Sequence, residues 1–284
     1  MTVRVAVVGA GGQVGAALVR ALAGHAVLAW TRADFDLEDF RRGCDLIRAS
    51  RPQIVILCAA LVDVQRAERE SDLAFRVNAI APAIIARASR EISARFVYIS
   101  TDYVFDGDGG APYDEWATTR PLSVYGRSKR AGEVETLSAH PESLVVRTSS
   151  VFGGPGRNFV NAIRQVALSG RNPRVVADEV SSPTYADDLA NAISALLAAT
   201  LGGVFHLTNE GECSRYELAR AAIELSGIAA NVDPITTAQF RRENPDSAPR
   251  PRHSALANLR ARAVGVTLPP WRDALTRHLC TPAS

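Results

Sequence analysis

Residues 2–15 read TVRVAVVGAGGQVG, an apolar and β-branched run that passes directly into glycines spaced G-x-x-G-x-x-G. A helical pattern follows over residues 16–22. In such a turn, the first glycine permits a tight bend, the second lets backbone N–H groups approach a pyrophosphate, and the third lets the helix pack close to the strand. The positive end of the helix then faces the phosphates. The stretch therefore predicts a strand, a turn and a helix that bind a dinucleotide at Gly9, Gly12 and Gly15.

Strand patterns alternate with helical patterns through the first 150 residues. The predicted strands are residues 2–8, 27–30, 54–60, 95–100 and 143–147, and the predicted helices are residues 40–50, 73–90 and 128–138. The strands are nearly continuous apolar runs, which is typical of a parallel sheet covered on both faces. We predict an α/β fold, a Rossmann-type doubly wound parallel sheet with a smaller C-terminal substrate-binding portion.

The pattern changes beyond about residue 151, where a turn rich in glycine, proline and asparagine begins. The predicted helices of this half are residues 159–168, 186–199 and 215–226, and its predicted strands are residues 174–176 and 204–207. We predict a dinucleotide-binding Rossmann domain over residues 1–150, joined by part of residues 174–200. Residues 151–284 are then mainly the substrate-binding portion.

Composition and charge exclude several classes of protein. The chain has 284 residues, 47% of them hydrophobic and 22% charged, which is ordinary for a globular protein and excludes disorder. A net charge of +2 provides no basic field to attract nucleic acid, and the apolar runs are too short to span a membrane. No secretory signal is expected, and the widely spaced cysteines indicate a reducing cytoplasm rather than a zinc site: Cys44, Cys58, Cys213 and Cys280.

A single lysine is the most informative basic residue. The 32 basic residues are 31 arginines and Lys129, which follows Tyr125 by four positions. On a helix these two side chains share one face. We expect the ammonium to lower the pKa of the phenol toward neutral pH and to donate to the nicotinamide ribose. Thr101 ends a predicted strand, where its hydroxyl can polarise a substrate carbonyl. The three residues match the catalytic pattern of short-chain dehydrogenases/reductases.

The end of the second predicted strand indicates which cofactor binds. A carboxylate at this place accepts a hydrogen bond from the 2′-hydroxyl of NAD, whereas a guanidinium suits the 2′-phosphate of NADP. Here Trp30 is followed by Thr31 and Arg32. We therefore predict NADPH. NADH is the alternative, because Asp36 follows on the adenine side of the pocket.

Two motifs add a resemblance to a known family. Residues 100–107, STDYVFDG, and residues 125–133, YGRSKRAGE, resemble the dTDP-4-dehydrorhamnose reductase family. Its members are extended short-chain reductases that reduce the C4 ketone of a nucleotide-linked 6-deoxyhexose. Supporting similarities extend over nearly the whole chain, at residues 9–15, 51–52, 147–149, 158–159, 183–184, 188–190, 205–207, 250–254 and 268–275.

The resemblance implies a function and roles for the matched positions. The function is NADPH-dependent reduction of the C4 ketone of a dTDP-linked 4-keto-6-deoxysugar in deoxysugar biosynthesis, with a catalytic set of Thr101, Tyr125 and Lys129. Together with the glycine turn and the arginine after the second strand, the expected cofactor contacts are Gly9, Gly12, Gln13, Val14, Gly15, Arg32, Asp36, Leu37, Ala59, Ala60, Tyr125 and Lys129. The implied contacts with the sugar nucleotide are Thr101, Tyr103, Phe105, Asn158 and Arg250, of which the last two face the nucleotide or its diphosphate.

Several positions depart from the family pattern. The departures are Leu61 for a usual histidine, Gln65 for an aspartate, Ser150 for a tryptophan at the sugar pocket and Ser181 for a glycine. Replacement of the tryptophan ring by the serine side chain enlarges the sugar pocket or admits water to it. Another nucleotide-linked 4-keto-deoxysugar therefore fits as well as the rhamnose precursor. Some relatives use magnesium at a carboxylate-lined dimer contact, but alanines follow the glycine turn here, so we predict no metal. A homodimer is expected because superfamily members often pair.

Two other functions remain open from the sequence. The first is a sugar-nucleotide dehydratase or epimerase of the same superfamily, although Tyr103 stands where dehydratases carry a glutamate after Asp102. The second is a non-catalytic NADP-binding regulatory subunit, as in the β subunit of methionine adenosyltransferase. Cofactor oxidation on addition of a 4-keto sugar nucleotide separates the reductase from both.

Overall fold

Helices and strands alternate along the chain much as the sequence predicts. The computed structural model describes residues 2–154, 158–199 and 201–280. Its strands are β1 (Arg4–Val8), β2 (Ala26–Trp30), β3 (Ile54–Leu57), β4 (Arg95–Thr101), β5 (Leu144–Thr148), β6 (Val151–Phe152), β7 (Arg174–Val176), β8 (Val180–Ser181), β9 (Thr184–Tyr185), β10 (Gly203–His206), β11 (Cys213–Ser214) and β12 (Asp233–Ile235). Its helices are α1 (Gln13–Ala21), α2 (Phe40–Ser50), α3 (Val64–Arg69), α4 (Ser71–Phe75), α5 (Ala81–Glu91), α6 (Val124–Ala139), α7 (Phe159–Leu168), α8 (Ala186–Ala198), α9 (Arg215–Leu225), α10 (Thr237–Glu243), α11 (Leu259–Ala263) and α12 (Trp271–Cys280).

A six-stranded parallel sheet forms the centre of the structure. Its strand order is β10-β5-β4-β3-β1-β2, with every neighbouring pair parallel. The order reverses at β1, because the chain first adds β2 on one side and then β3 on the other. In open α/β sheets, ligands bind at the carboxyl ends of the strands beside such a reversal. The predicted Rossmann-type doubly wound sheet is confirmed.

Both faces of this sheet are covered by helices. On one face, α1 and α8 pack around the fully buried side chains of Leu18, Leu189 and Ile193. On the other face, α2 and α5 contribute Ile47 and Ile85, which are also fully buried. Burying one such side chain stabilises the fold by roughly 1.5–3 kcal/mol. The two apolar layers explain why the central strands lack an alternation of polar and apolar residues.

The chain returns to the central sheet in α8, within residues 174–200, and in β10, beyond them. The expected return lay within residues 174–200. In the structure α8 does pack on α1, but β7 pairs with β12 in a separate two-stranded sheet, and β10 adds the sixth strand beside β5. Strands of three or four residues carry too little periodicity to show which sheet they join. The division of the chain near residue 150 stays a prediction.

The long helix predicted over residues 73–90 is interrupted. A π-helical turn over Arg76–Ile80 separates α4 from α5. Such turns often lie near functional sites. Here the backbone carbonyl of Asn78 accepts a hydrogen bond of 2.7 Å from Tyr98, and its side-chain amide donates one of 3.0 Å to Ser128 on α6. The turn therefore fixes the position of α6.

Some helices have no counterpart in the sequence prediction, namely α3, α10, α11 and α12. The first three have five to seven residues, so their apolar residues do not establish a helical repeat, whereas α12 has ten. In addition, α6 begins at Val124, four residues before its predicted start. Over residues 2–154, 158–199 and 201–280, the structure contains no helix with the length and apolar character needed to cross a membrane.

Candidate active site

A cleft of about 1520 Å³ lies at the carboxyl ends of the central strands. It extends from the glycine turn to α6, so the two groups of residues predicted from separate motifs line one space. The predicted cofactor and catalytic residues on its wall are Gly9, Gly12, Gln13, Val14, Gly15, Arg32, Ala59, Ala60, Thr101, Tyr125 and Lys129.

A second cavity, of about 550 Å³, continues this cleft at the end of β2. The two spaces share Gly9, Arg32, Ala59 and Ala60. The second cavity also has Asp36 and Leu37 on its wall, where an adenosine is expected. Its lining includes two charged residues that the sequence analysis did not select, Glu38 and Arg66. Arg66 lies in α3, a helix too short to be recognised from the sequence.

The glycine turn has the form that a pyrophosphate requires. A Cβ atom on Gly9, which has φ of +89°, would lie 2.7 Å from the backbone nitrogen of Ala59. A Cβ atom on Gly15 would lie 2.1 Å from the carbonyl oxygen of Gly9, so α1 can begin this close to the strand only without a side chain. Gln13 and Thr148 line the cleft, and each has a buried polar atom, Oε1 and Oγ1 respectively, without a hydrogen-bond partner in the structure. These residues fit a dinucleotide.

The catalytic candidates come from two elements that meet at the cleft. Ser123 caps α6 by accepting a hydrogen bond of 3.1 Å from the backbone N–H of Gly126, which places Tyr125 in the first turn. Lys129 follows one turn later on the same helix, and both side chains line the cleft. Thr101 is the last residue of β4; its hydroxyl donates a hydrogen bond of 3.2 Å to Oδ1 of Asp102, and its side chain also lowers the pKa of Tyr125. Helix and strand thus bring the three candidates together.

The electrostatics of Tyr125 differ from the expectation that Lys129 lowers its pKa. Burial raises the pKa of this phenol well above its ordinary value, whereas the hydrogen bond with Thr101 lowers it by less. The Nζ atom of Lys129 points elsewhere, because it donates a 2.6 Å hydrogen bond to the carbonyl oxygen of Ile99 and lies 3.9 Å from the ring centroid of Tyr98. The phenol of the structure is therefore a proton donor at neutral pH.

Burial also changes the pKa of Lys129, lowering it from 10.5 to about 7. An unfolded chain would bind one more proton than the native protein between these values, so this lysine makes stability rise with pH across that range. Between these pH values, the free energy of unfolding should rise more steeply with pH in the original protein than in Lys129→Met. The expected difference in slope is up to about 1.4 kcal/mol per pH unit. Denaturant unfolding of both proteins between pH 7 and 10 measures the difference. Parallel curves would contradict the shifted pKa.

Asp102 is a site residue that the sequence analysis named without giving it a role in the reduction. It lies on the wall of the cleft and is 2% exposed. Burial raises its pKa to about 6, although a hydrogen bond from Ser254 at 2.5 Å opposes this shift. Ser254 belongs to a segment near the C-terminus, so the contact fixes that segment against the end of β4. The position of Asp102 directly after Thr101 is the sequence feature from which a place in the cleft could have been predicted.

The predicted substrate residues are grouped beyond Tyr125. The ring of Tyr103 meets that of Tyr125 edge-on, with centroids 5.8 Å apart, and the charges of Arg250 and Arg215 act on Tyr103. Burial nevertheless raises the pKa of Tyr103, and it outweighs both arginines. Arg215 was missed by the sequence analysis, since the first residue of a helix gives no functional signal.

Asn158 lies at the N-terminus of α7, near this group. Its Oδ1 accepts a hydrogen bond of 2.9 Å from the backbone N–H of Asn161, which caps the helix. Its Nδ2 is buried and has no hydrogen-bond partner in the structure. The next residue, Phe159, has the guanidinium of Arg215 5.0 Å from its ring centroid. These contacts connect Asn158 with the arginines beside Tyr103.

The structure places Phe105, which the resemblance assigns to the sugar, in the core. Its side chain is fully buried and stacks on Tyr113, with ring centroids 4.2 Å apart. The guanidinium of Arg147 lies 5.2 Å from the ring centroid of Phe105. A short 3₁₀ turn at Asp102–Val104 directs Phe105 into the core, away from the cleft.

Two departures from the family pattern meet in space. Ser150, which has φ of +44°, lies on the wall of the cleft, and its hydroxyl is 2.7 Å from that of Ser181. A third departure, Gln65, hydrogen-bonds the backbone of Asp246 at 2.6 Å and that of Ala248 at 2.8 Å. It thereby holds the loop that leads to Arg250. Within the part of the chain that the structure describes, no three His, Cys, Asp or Glu side chains are grouped to hold a metal ion.

Comparisons with known proteins agree with this architecture. The dTDP-4-dehydrorhamnose reductase of Mycobacterium tuberculosis (strain H37Rv) is 43% identical, covering 99% of this chain and 94% of that protein. A dTDP-4-keto-6-deoxy-D-glucose reductase of Streptomyces niveus is 36% identical, covering 98% and 96%. The crystal structure of dTDP-4-dehydrorhamnose reductase from Bacillus anthracis in complex with NADP superposes with a TM-score of 0.93 at 36% identity, covering 98% of this chain and 99% of that one.

The family model described as the RmlD substrate binding domain matches residues 3–282, and so includes the glycine turn, the cleft and the C-terminal segment. The resemblance inferred from residues 100–107 and 125–133 is therefore confirmed over almost the full length. This chain belongs to the dTDP-4-dehydrorhamnose reductase family.

Proposed function

We propose that this protein uses NADPH to reduce the C4 ketone of a dTDP-linked 4-keto-6-deoxysugar. The observation that carries the proposal is that Thr101, Tyr125 and Lys129 share one cleft with the glycine turn. A proton donor and a dinucleotide site are then close enough to act on one carbonyl group. The names of the relatives from Mycobacterium tuberculosis and Streptomyces niveus support the substrate class, and the Bacillus anthracis complex supports the cofactor.

The residues of the cleft would act on the carbonyl oxygen while bound NADPH supplies a hydride to the C4 carbon. The Thr101 hydroxyl orients the carbonyl by a hydrogen bond. Tyr125 transfers its hydroxyl proton to the oxygen, which leaves an alcohol and a phenolate. Burial keeps Tyr125 protonated until that moment. In the structure the ammonium of Lys129, one turn along α6, is bound to the carbonyl oxygen of Ile99. We infer that it turns toward the cleft to stabilise the phenolate and to donate to the ribose, until solvent returns the proton to Tyr125.

The nucleotide end of the substrate would lie beyond Tyr103. Arg250 and Arg215 supply positive charge there, and the unpartnered Nδ2 of Asn158 supplies a donor. Guanidinium groups bind diphosphate oxygens in a bidentate manner, which suits a dTDP group. A homodimer and a cytoplasmic location stay predictions, the latter supported by the four cysteines, which form no disulfide with one another.

Ser150 and Ser181 bear on which sugar is reduced. Their paired hydroxyls give the cleft wall polar atoms that can bind a sugar hydroxyl. We therefore extend the proposed substrate class to dTDP-4-keto-6-deoxyhexoses other than the rhamnose precursor. The Streptomyces niveus relative supports this extension, because it is a dTDP-4-keto-6-deoxy-D-glucose reductase by name.

A panel of dTDP-4-keto-6-deoxyhexoses tests the function directly. The protein is mixed with NADPH and each ketosugar, and NADPH absorbance and the sugar product are followed together. We expect one alcohol to form for each NADPH oxidised with at least one ketosugar. Cofactor binding without turnover on any ketosugar would favour the regulatory subunit. In a parallel incubation with dTDP-glucose, formation of a keto sugar would instead favour the dehydratase.

A further inference from the structure

Two arginines and two acidic residues lie together at the adenosine cavity. Arg32, Asp36, Glu38 and Arg66 all line it. The Nη2 atom of Arg32 lies 2.9 Å from Oε1 of Glu38, and its Nε lies 3.3 Å from Oδ2 of Asp36. Arg66 binds Glu70 through its Nε at 2.9 and 3.0 Å. The positive charge near the expected 2′-position is thus already paired with carboxylates.

Glu38 interacts with both guanidinium groups. It forms the shorter of the two ion pairs of Arg32, and its charge also acts on Arg66. The hydrogen bonds from Glu70 have the larger effect on Arg66, and both acidic residues raise its pKa. Glu38 is therefore ion-paired with Arg32, and its charge also acts on Arg66 across the cavity.

The two acidic residues at the cavity differ in their freedom to move. Asp36 caps the short turn that follows it, because its Oδ1 accepts a hydrogen bond of 3.0 Å from the backbone N–H of Glu38. The side chain of Glu38 is exposed and forms one ion pair, with Arg32, within the part of the chain that the structure describes. Asp36 is fixed in place to accept from a 2′-hydroxyl, whereas Glu38 can be displaced.

We propose that Glu38 sets the balance between the two nicotinamide cofactors by competing with the 2′-phosphate of NADPH for Arg32 and Arg66. The inference rests on the proposed use of a nicotinamide dinucleotide. A 2′-phosphate carries a charge near −2 and pairs well with two guanidinium groups, but it must first displace Glu38 and then tolerate a nearby like charge. NADH carries no 2′-phosphate and does not meet this repulsion.

Direct binding measurements without a sugar substrate test the proposal. In Glu38→Gln, we expect the Kd for NADPH to fall roughly three- to tenfold at low salt, while the Kd for NADH stays the same or rises. In Arg66→Gln, the Kd for NADPH should rise by a similar factor with little change for NADH. The effect of Glu38→Gln should shrink in high salt, because exposed charges are screened.

Asp39→Asn is the matched control for charge. Asp39 is exposed on the same turn and does not line the cavity, so its removal should leave the ratio of the two Kd values unchanged. The proposal fails if Glu38→Gln changes the ratio no more than Asp39→Asn does, or if both cofactors respond equally. If the unaltered protein binds neither cofactor, the proposed function fails together with this inference.

Discussion

Replacing Tyr125 with phenylalanine should lower turnover of the reducible ketosugar by at least about 10³-fold. The change removes one hydroxyl from a partly buried ring, and that hydroxyl is the proposed proton donor. Without this hydroxyl, the carbonyl oxygen of the substrate must take its proton from water. The cleft positions the phenol and not a water molecule for that transfer. The glycine turn and the adenosine cavity are untouched, so NADPH should bind with a Kd within about twofold of the original value.

Rates of NADPH oxidation and a cofactor titration measure the two expectations separately. Tyr216→Phe is a suitable control, because Tyr216 lies on α9 and packs against the cluster of Ile163 and Val175, outside the cleft. It should retain full turnover. Near-normal turnover in Tyr125→Phe would exclude the assigned proton donor, whereas loss of cofactor binding would show that the ring hydroxyl serves the binding site.

Removing Glu133 should cost about 3–5 kcal/mol of stability, because it leaves a buried arginine without its partner. Glu133 lies on α6 and is fully buried. It accepts hydrogen bonds of 2.8 Å from both Nε and Nη2 of Arg147, and one of 2.6 Å from Ser100. Arg147 is 3% exposed, so water cannot replace the lost carboxylate in Glu133→Ala. The network joins α6 to β4 and β5 directly behind Thr101.

Denaturant unfolding measures this loss against a matched ion pair at the surface. In Glu91→Ala, the pair with Arg48 is broken, but both side chains are 46% exposed, so the expected loss is below about 1 kcal/mol. The double variant Glu133→Met with Arg147→Met should recover much of the stability, because it leaves no fully buried charge unpaired. Arg130, which also contacts Glu133 at 3.2 Å, is 35% exposed and can be hydrated. Equal losses in Glu133→Ala and Glu91→Ala would show that Arg147 finds another partner.

The central fold could be predicted because its information is local. The run at residues 2–15 specifies a strand, a turn and a helix without reference to the rest of the chain, and the apolar strands indicate a sheet covered on both faces. The partner of β7 and the placement of β10 depend on contacts far along the sequence. Short strands do not encode such pairings in their own residues.

The candidate site likewise has some features that local sequence predicts and others that depend on contacts between distant residues. Tyr125 and Lys129 could be paired from helical spacing alone, and Thr101 from its place at the end of a strand. The direction of the Lys129 ammonium depends on where the carbonyl of Ile99 and the ring of Tyr98 lie, which is set by packing. The burial of Phe105 likewise follows from its stacking on Tyr113, which no local pattern reveals.

The position of β10 affects how hybrid proteins could be made from this scaffold. This edge strand lies after β6 to β9 in sequence, and α8 covers α1 from the same later part of the chain. A fragment that stops near residue 150 would leave β5 as a bare edge and expose the apolar side of α1, both of which favour aggregation. A hybrid of two relatives joined at a single point near residue 150 would take β5 from one protein and β10 and α8 from the other. To exchange substrate specificity between relatives, several separate segments must therefore be transferred, because these elements fold only together.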